Sequence, residues 1–539
     1  MKILLPLLLL IANVALGQID DPIPESIRPS GQKVFLENFV TIPPSSNNKP
    51  FARINLLREV RDGSSRLFVN DLRGEFWSVK EGETTLFLDH NLIFPDFIDG
   101  AGFGTGFGAF DFHPDFNNNG LFYTAHTERA GSSPADFTPI EFNSISMQWV
   151  VTEWKMTDPS SVTFEGSRRE ILRFNYPEQL HGVQEIAFNP NAEPGDEDHG
   201  LLYICLGDGG SSREQFFENM QTTRSWLGTI FRIDPAGNNS ANGKYGVPPG
   251  NPFFNNPDSL TVKEIYAYGF RNPHRISWDS AGDNLMLCGD IGEKNIEEVN
   301  LILPGKNYGW GDREGTFLYD RTQGRDFVWP LPSDDADNDY TYPIAQYDHD
   351  EGVAVVGGYV YRGDELPDLY GHYVFGDIAS GLLFHFDVND IVPGEQVTIS
   401  RLATSGSDGF GTSLLNEVNN DRVDLRFGIT ASGEILLLTK ADGVIRKMKA
   451  GLPSSISEGI IYNSIALSPN PNTGIFNYKV NSTALVDLTV TNPLGGVCYT
   501  ASKLNSQGTL DLSHLANGTY YIILRAMNRT YVEEFVLIK

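Results

Sequence analysis

The chain has 539 residues, 40% hydrophobic and 12% aromatic, with 54 glycines and 31 prolines. That length exceeds one ordinary core, so two or more domains are expected, and the turn-rich, aromatic composition suits a β protein. Lys and Arg number 40 against 69 Asp and Glu, a formal net charge of -29; such a surface repels phosphates and anionic lipid and excludes a nucleic-acid partner.

At the N-terminus Lys2 precedes a short apolar run, Ile3 to Val14, and Ala15-Leu16-Gly17 sets small residues before a cleavage point at Gln18. This reads as a signal peptide over residues 1–17. No later stretch reaches the roughly 18 apolar residues of a membrane span, so the mature protein is expected to be exported without one. Pro22 to Pro29 and Pro43 to Pro50 read as entry loops. Beyond them long helical periodicity is nearly absent; short apolar runs alternate with Gly, Asp and Asn turns, the pattern of strands and hairpins. One unit, an apolar run, a polar turn and often a second run, recurs around Leu67, Phe122, Tyr203, Met286, Tyr373 and Leu436, at intervals of 55 to 87 residues. Six four-stranded units would make an all-β, six-bladed β-propeller over residues 31–450; an array of plain β-sandwiches is the competing reading.

Gly451-Leu452-Pro453-Ser454-Ser455 opens a linker over 451–463. From about Ile465 the chain alternates cleanly, as in VDLTVTN and TYYIILRAM, which suits a small β-sandwich over 464–539. This tail holds five basic and four acidic residues, so the acid excess belongs to the preceding domain. Cys205 and Cys288 lie in apolar strand-like runs and, with Cys498, are too few for a disulfide framework; buried free thiols are expected, with a Cys205–Cys288 bridge as the alternative.

Several short clusters carry chemical potential. Tyr268-Gly269-Phe270-Arg271-Asn272-Pro273-His274-Arg275 packs two arginines, a histidine and an amide into a turn that could bind a carboxylate or polarise an oxygen, or could tie units together by hydrogen bonds. His181-Gly182 precedes a strand, where a histidine is a candidate base. Gly207-Asp208-Gly209-Gly210 and Gly289-Asp290-Ile291-Gly292 follow strands and could hold Ca2+ or merely shape turns. The acidic loop Asp334-Asp335-Ala336-Asp337-Asn338-Asp339 lacks the glycine and terminal glutamate of an EF-hand loop.

Together these stretches, with Phe110-Asp111-Phe112-His113-Pro114-Asp115-Phe116, Leu227 to Asp234, Glu298-Val299-Asn300-Leu301, Asn307-Tyr308-Gly309-Trp310 and Gly358-Tyr359-Val360-Tyr361-Arg362-Gly363, resemble the glucose/sorbosone dehydrogenase family. The resemblance runs from about Leu67 to Met448. It implies a pyrroloquinoline quinone (PQQ)- and Ca2+-dependent dehydrogenase that oxidises a sugar at C1 and passes electrons to an external acceptor. By resemblance, His181 is the general base, Arg271 and Asn272 hold the cofactor, Tyr347 belongs to the pocket wall, and the backbone carbonyls of Gly292 and Glu293 bind the metal. The chain departs from the PQQ-dependent pattern at Gly104, Leu180 and Ala379, where the family has a glutamine or acid, an acid, and a lysine. Arg422 and Arg426 stand near, but out of register with, a late arginine pair. On that reading three cofactor carboxylates would be under-neutralised. A non-catalytic propeller binding glycan or protein, and a calcium-dependent hydrolase using Asp208 and Asp290, are the alternatives. In the tail, Ser468-Pro469-Asn470-Pro471-Asn472-Thr473-Gly474 and Leu515 to Tyr521 resemble the type A sorting domains read by the type IX secretion machinery, which implies release or attachment at the cell surface.

Overall fold

The computed structural model describes residues 17–100, 104–140, 142, 144–211, 219–405, 413–450, 465–480, 485–492, 496–526 and 529–539. Residues 1–16 of the expected signal peptide and the whole expected linker, 451–463, lie outside these. The described residues fall into two compact units, one up to residue 450 and one from 465 onward.

The first unit is built of antiparallel four-stranded runs. The first run comprises Ile54–Glu59, Leu67–Asp71, Glu75–Lys80 and Glu83–Asp89. The second is Phe107–Phe112, Leu121–Arg129, Met147–Met156 and Gly166–Tyr176. The third is Val183–Phe188, Leu202–Leu206, Thr229–Ile233 and Ile265–Tyr268. The fourth is Pro273–Trp278, Met286–Asp290, Ile296–Leu301 and Ala345–Asp348. The fifth is Val355–Val360, His372–Asp377, Leu383–Asp387 and Ser400–Ser405. The sixth has only three strands of its own, Leu425–Ile429, Ile435–Thr439 and Val444–Lys449. Its fourth comes from the other end of the chain: Pro29–Thr41 pairs antiparallel with Val444–Lys449, from Phe35 opposite Lys449 to Thr41 opposite Val444.

The six recurrences read from the sequence coincide with the second strand of each run, buried on both faces and therefore the most continuously apolar. The first strand of each run lies against the first strand of the next, and that of the sixth pairs with that of the first, Leu57 opposite Gly428. The strands are held by aromatic packing, such as Phe68 against Phe76 and Phe112, and Phe174 against Trp226. Their inner ends meet over a buried polar network. Arg275 donates to the carbonyls of Gln184 and Asn55, Arg426 donates to Asn55 Oδ1 (3.0 Å), and Arg58 pairs with Glu185 (2.6 Å).

Antiparallel pairing brings the start of each first strand to the end of each second strand: Ile54 opposite Asp71, Val183 opposite Leu206, Pro273 opposite Asp290, Leu425 opposite Thr439. Residues just outside these positions therefore gather at one end of the unit. Cys205 and Cys288 are free and buried in one apolar cluster, as the sequence suggested.

The second unit has two antiparallel sheets, one of Ile465–Ser468, Ile475–Val480 and Gln507–Asp511, the other of Val486–Thr491, Val497–Leu504, Gly518–Ala526 and Arg529–Leu537. Phe476, Leu488, Ile522 and Phe535 share its core, from alternate positions along their strands. Among the described residues no helix is long and apolar enough to cross a membrane.

Candidate functional site

A cavity of about 710 Å3 opens at the end where first strands begin and second strands end. Its wall includes His181, Arg271, Asn272, Gly292 and Glu293, residues separated by up to 112 positions in the chain, together with Gly104 and Leu180.

His181 sits in the turn before the first strand of the third run, at a left-handed φ of 46° that a non-glycine residue adopts only at a cost. Two glycines make room for it. A Cβ on Gly182 would lie 1.9 Å from Trp149 Nε1, and one on Gly207 would lie 2.2 Å from the His181 carbonyl oxygen. His181 Nδ1 lies 2.6 Å from Asp208 Oδ1. Asp208 is fully buried, just past the second strand of the same run. Its Oδ1 also accepts the Gly210 amide (2.8 Å) and its Oδ2 accepts Trp310 Nε1 (3.2 Å). Burial pushes the Asp208 pKa up, but the charges of His181 and Arg271 and these hydrogen bonds bring it below the usual carboxylate value. An ionised Asp208 takes the Nδ1 proton of His181 as a hydrogen bond and leaves the lone pair on Nε2. Burial first, then the charge of Arg271, hold the imidazole pKa below its ordinary value despite Asp208, so the ring is neutral at neutral pH.

Arg271 and Asn272 precede the first strand of the fourth run. Asp290, at the end of its partner strand, accepts both backbone amides, Asn272 N at 2.6 Å and Arg271 N at 3.1 Å. The Arg271 guanidinium donates through Nε (3.0 Å) and Nη2 (2.6 Å) to Glu293 Oε2 and through Nη1 (3.0 Å) to the Ile291 carbonyl. It lies 5.5 Å from the Trp310 ring centroid. Arg325 meets the other Glu293 oxygen at 3.2 Å. The loop carrying Gly292 and Glu293 is fixed from beneath: the amides of Glu293, Lys294, Asn295 and Ile296 all donate to Glu314 Oε1, at 2.8 to 3.2 Å. Asn272 Oδ1 is buried and has no partner among the described residues.

Some expectations are corrected. Tyr347 does not line the cavity; it is buried against Phe384, with ring centroids 5.1 Å apart, because its strand turns that face toward the core between the fourth and fifth runs. Asp290 accepts two backbone amides, Asp208 meets His181 and Trp310, and neither carboxylate is part of the cavity lining. In the acidic loop Asp335 is taken by Arg313 and Tyr342. Among the described residues no group of three or more His, Cys, Asp or Glu could hold a metal. Most consequential, the site is not short of positive charge. Arg422 and Arg426 line the cavity together with Arg53, Arg73 and Lys440, while Ala379 is not part of its lining. With Arg271, Lys294 and Arg325 the wall carries eight cationic side chains against two carboxylates, Glu293 and Asp424.

Sequence reading missed Asp208 as the partner of His181, although Gly-Asp-Gly-Gly stood out as a turn, and it gave no role to Trp310 or Glu314. It also missed Arg53, Arg73 and Lys440, each a lone cation beside an ordinary strand.

Residues 57–405 match the Glucose / Sorbosone dehydrogenase family, and the chain belongs to it. Residues 466–539 match the Secretion system C-terminal sorting domain, which indicates export by type IX secretion to the cell surface or the extracellular space. Among curated relatives, the HIPL2 protein of Arabidopsis thaliana is 28% identical over 60% of this chain and 50% of its own. The Hedgehog-interacting protein of Homo sapiens is 26% identical over 66% of this chain and 47% of its own. The chain thus spans about half the length of these relatives. Among solved structures, the PQQ-bound form of Aldose Sugar Dehydrogenase from Streptomyces coelicolor is similar with a TM-score of 0.50 at 18% identity, over 77% of this chain and 97% of that one; this likeness is one of fold.

Proposed function

We propose that the chain is an exported sugar dehydrogenase-like oxidoreductase that oxidises the C1 hydroxyl of an aldose or related sugar, with PQQ as cofactor and an external electron acceptor. The carrying observation is the His181–Asp208 pair in the wall of a cavity shared with Arg271 and Asn272. The proposed layout is a signal peptide at 1–17, a six-bladed propeller at 31–450, a linker at 451–463 and a small β-sandwich sorting domain at 464–539. The six four-stranded runs, the ring of contacts between their first strands and the N-terminal strand that completes the sixth support the blade count.

The residues present fit a compact polycarboxylate quinone. The cavity is large enough and strongly cationic, and Asn272 Oδ1 beside it has no hydrogen-bond partner among the described residues. When bound, PQQ supplies the hydride acceptor. The chain supplies the rest. His181 Nε2 takes the proton of the C1 hydroxyl as the hydride leaves C1, so the sugar loses one hydride and one proton and departs as a lactone. Asp208 keeps Nδ1 protonated and stabilises the imidazolium that forms. Arg271 would hold a carbonyl oxygen of the cofactor, and Asn272 would complete its hydrogen bonding. The residues fit calcium less well. A hard dication needs six to eight oxygens, whereas Gly292 and Glu293 offer two backbone carbonyls beside Arg271, and the Glu293 carboxylate already serves two arginines. The test is dye-coupled sugar oxidation by the PQQ-loaded protein: His181→Ala should cut turnover by about 10² or more, and full activity in that variant would overturn the assignment.

A non-catalytic propeller that binds glycan or protein is favoured by one observation: Nε and both terminal nitrogens of Arg271 already donate within the chain, so a ligand must displace or share Glu293. The name of the human relative points the same way. Glycan or protein binding that is indifferent to PQQ and to His181→Ala would establish it.

A further inference from the structure

The cavity has a second wall that the mechanism above does not use. Arg53 leads into the first run and Arg73 lies between its second and third strands; Arg422 and Arg426 lie at the start of the sixth run, and Lys440 follows that run's second strand. They meet where the sixth run, completed by the N-terminal strand, closes on the first. Asp71, Asp99 and Asp424 face Arg53, whereas among the described residues neither Arg426 nor Lys440 has an ion-pair partner. Arg53 donates to the Asp99 carbonyl, Arg73 to Ser45 Oγ and the Pro50 carbonyl, and Arg426 to Asn55 Oδ1 and its neighbour's carbonyl. Arg422 pairs with Asp424, the one carboxylate of this wall. Lys440 is the telling residue. It is only 5% exposed, it lines the cavity, and among the described residues its ammonium has no hydrogen-bond or ion-pair partner. A buried ammonium beside three other cations is retained in a fold only at substantial cost unless an anion answers it. The placement runs against the -29 charge of the chain as a whole.

We infer that this wall is a carboxylate-binding subsite, in which Lys440 and Arg426, rimmed by Arg53, Arg73 and Arg422, hold a compact polycarboxylate. The inference rests on the proposed function for the identity of that ligand: on that reading these residues, rather than a lysine at position 379, neutralise the cofactor's carboxylates. The groups facing Lys440 are Arg426, Asp424, Arg53 and Arg275. Burial and then Arg426 lower its pKa well below the ordinary lysine value, against the pull of Asp424. Ligand carboxylates reverse that balance and favour the ammonium.

The test is calorimetric titration of the full chain with two probes, PQQ and benzene-1,3,5-tricarboxylate, a tricarboxylate without a quinone. Each is run at two salt concentrations, with Lys440→Met, Arg426→Gln and the half-buried, rim-located Arg73→Gln alongside; thermal melts confirm that each variant is folded. PQQ should bind the parent chain, weaken with salt, and lose about tenfold or more in each variant. Unchanged PQQ binding in all three folded variants would overturn the subsite and leave the dehydrogenase reading intact. Binding of the tricarboxylate alone, lost in the variants, would keep the subsite and overturn PQQ as its ligand. Failure of both probes to bind the parent chain would overturn the subsite.

Discussion

The two walls of the cavity solve the same electrostatic problem in opposite ways. On the wall of the third and fourth runs every charge has a partner: His181 with Asp208, Arg271 and Arg325 with Glu293, and the supporting loop with Glu314. On the wall of the sixth and first runs Arg422 pairs with Asp424, and among the described residues Lys440 has no hydrogen-bond or ion-pair partner. A paired wall is organised before ligand arrives, which suits groups that must be held in fixed geometry. A wall with an excess of cations carries a charge surplus, which suits a place where binding energy is collected.

Perturbations should separate the walls. The largest effects are expected from His181→Ala, a fall in turnover of about 10² or more, and from Asp208→Asn, whose amide can donate to Nδ1 and drive the imidazole proton to Nε2, a loss of comparable size; steady-state dye reduction checks both. On stability, Glu293→Ala strands Arg271 and should cost about 2 kcal/mol, less than for a fully enclosed pair because both side chains border the cavity. Lys440→Met should act with the opposite sign, stabilising the ligand-free protein by about 1 kcal/mol, since it removes an uncompensated buried charge; denaturant midpoints measure both. The pH dependence sharpens this. The folded-state pKa of Lys440 lies below its unfolded value of 10.5. Between those two values the unfolded chain binds more protons, so this contribution to stability rises with pH and is complete above 10.5. The rise should vanish in Lys440→Met. The smallest effect is on the acid limb of kcat/KM. With the His181 pKa held below 6.5, the base stays neutral and activity persists to lower pH than an ordinary imidazole would allow. Glu293→Gln, which removes a negative charge that favours the imidazolium, should move that limb lower still.

The stretches that carry the family resemblance were legible because they are local. His181 and the Arg271-Asn272 turn lie in short motifs whose residue types fit one chemistry, and the cavity unites them. Asp208 was half legible: its turn was visible, but its partner stands 27 residues earlier. Lys440 was not legible at all. In sequence it is one lysine at the end of an apolar strand, indistinguishable from a solvated cation.

Periodicity and spacing thus determined that this is a β protein of repeated units with a separate tail, because alternation and turn chemistry are short-range properties of the chain. Which of its scattered charges share a wall was decided only by tertiary structure. Antiparallel pairing sets strand beginnings beside strand ends, and strand Pro29–Thr41 completes the sixth run more than 400 residues away in sequence. That closure sets Arg53 and Arg73 beside Arg426 and Lys440. Where Coulomb interactions act across such distances in sequence, the sum of charges is written in the chain but their neighbours are not.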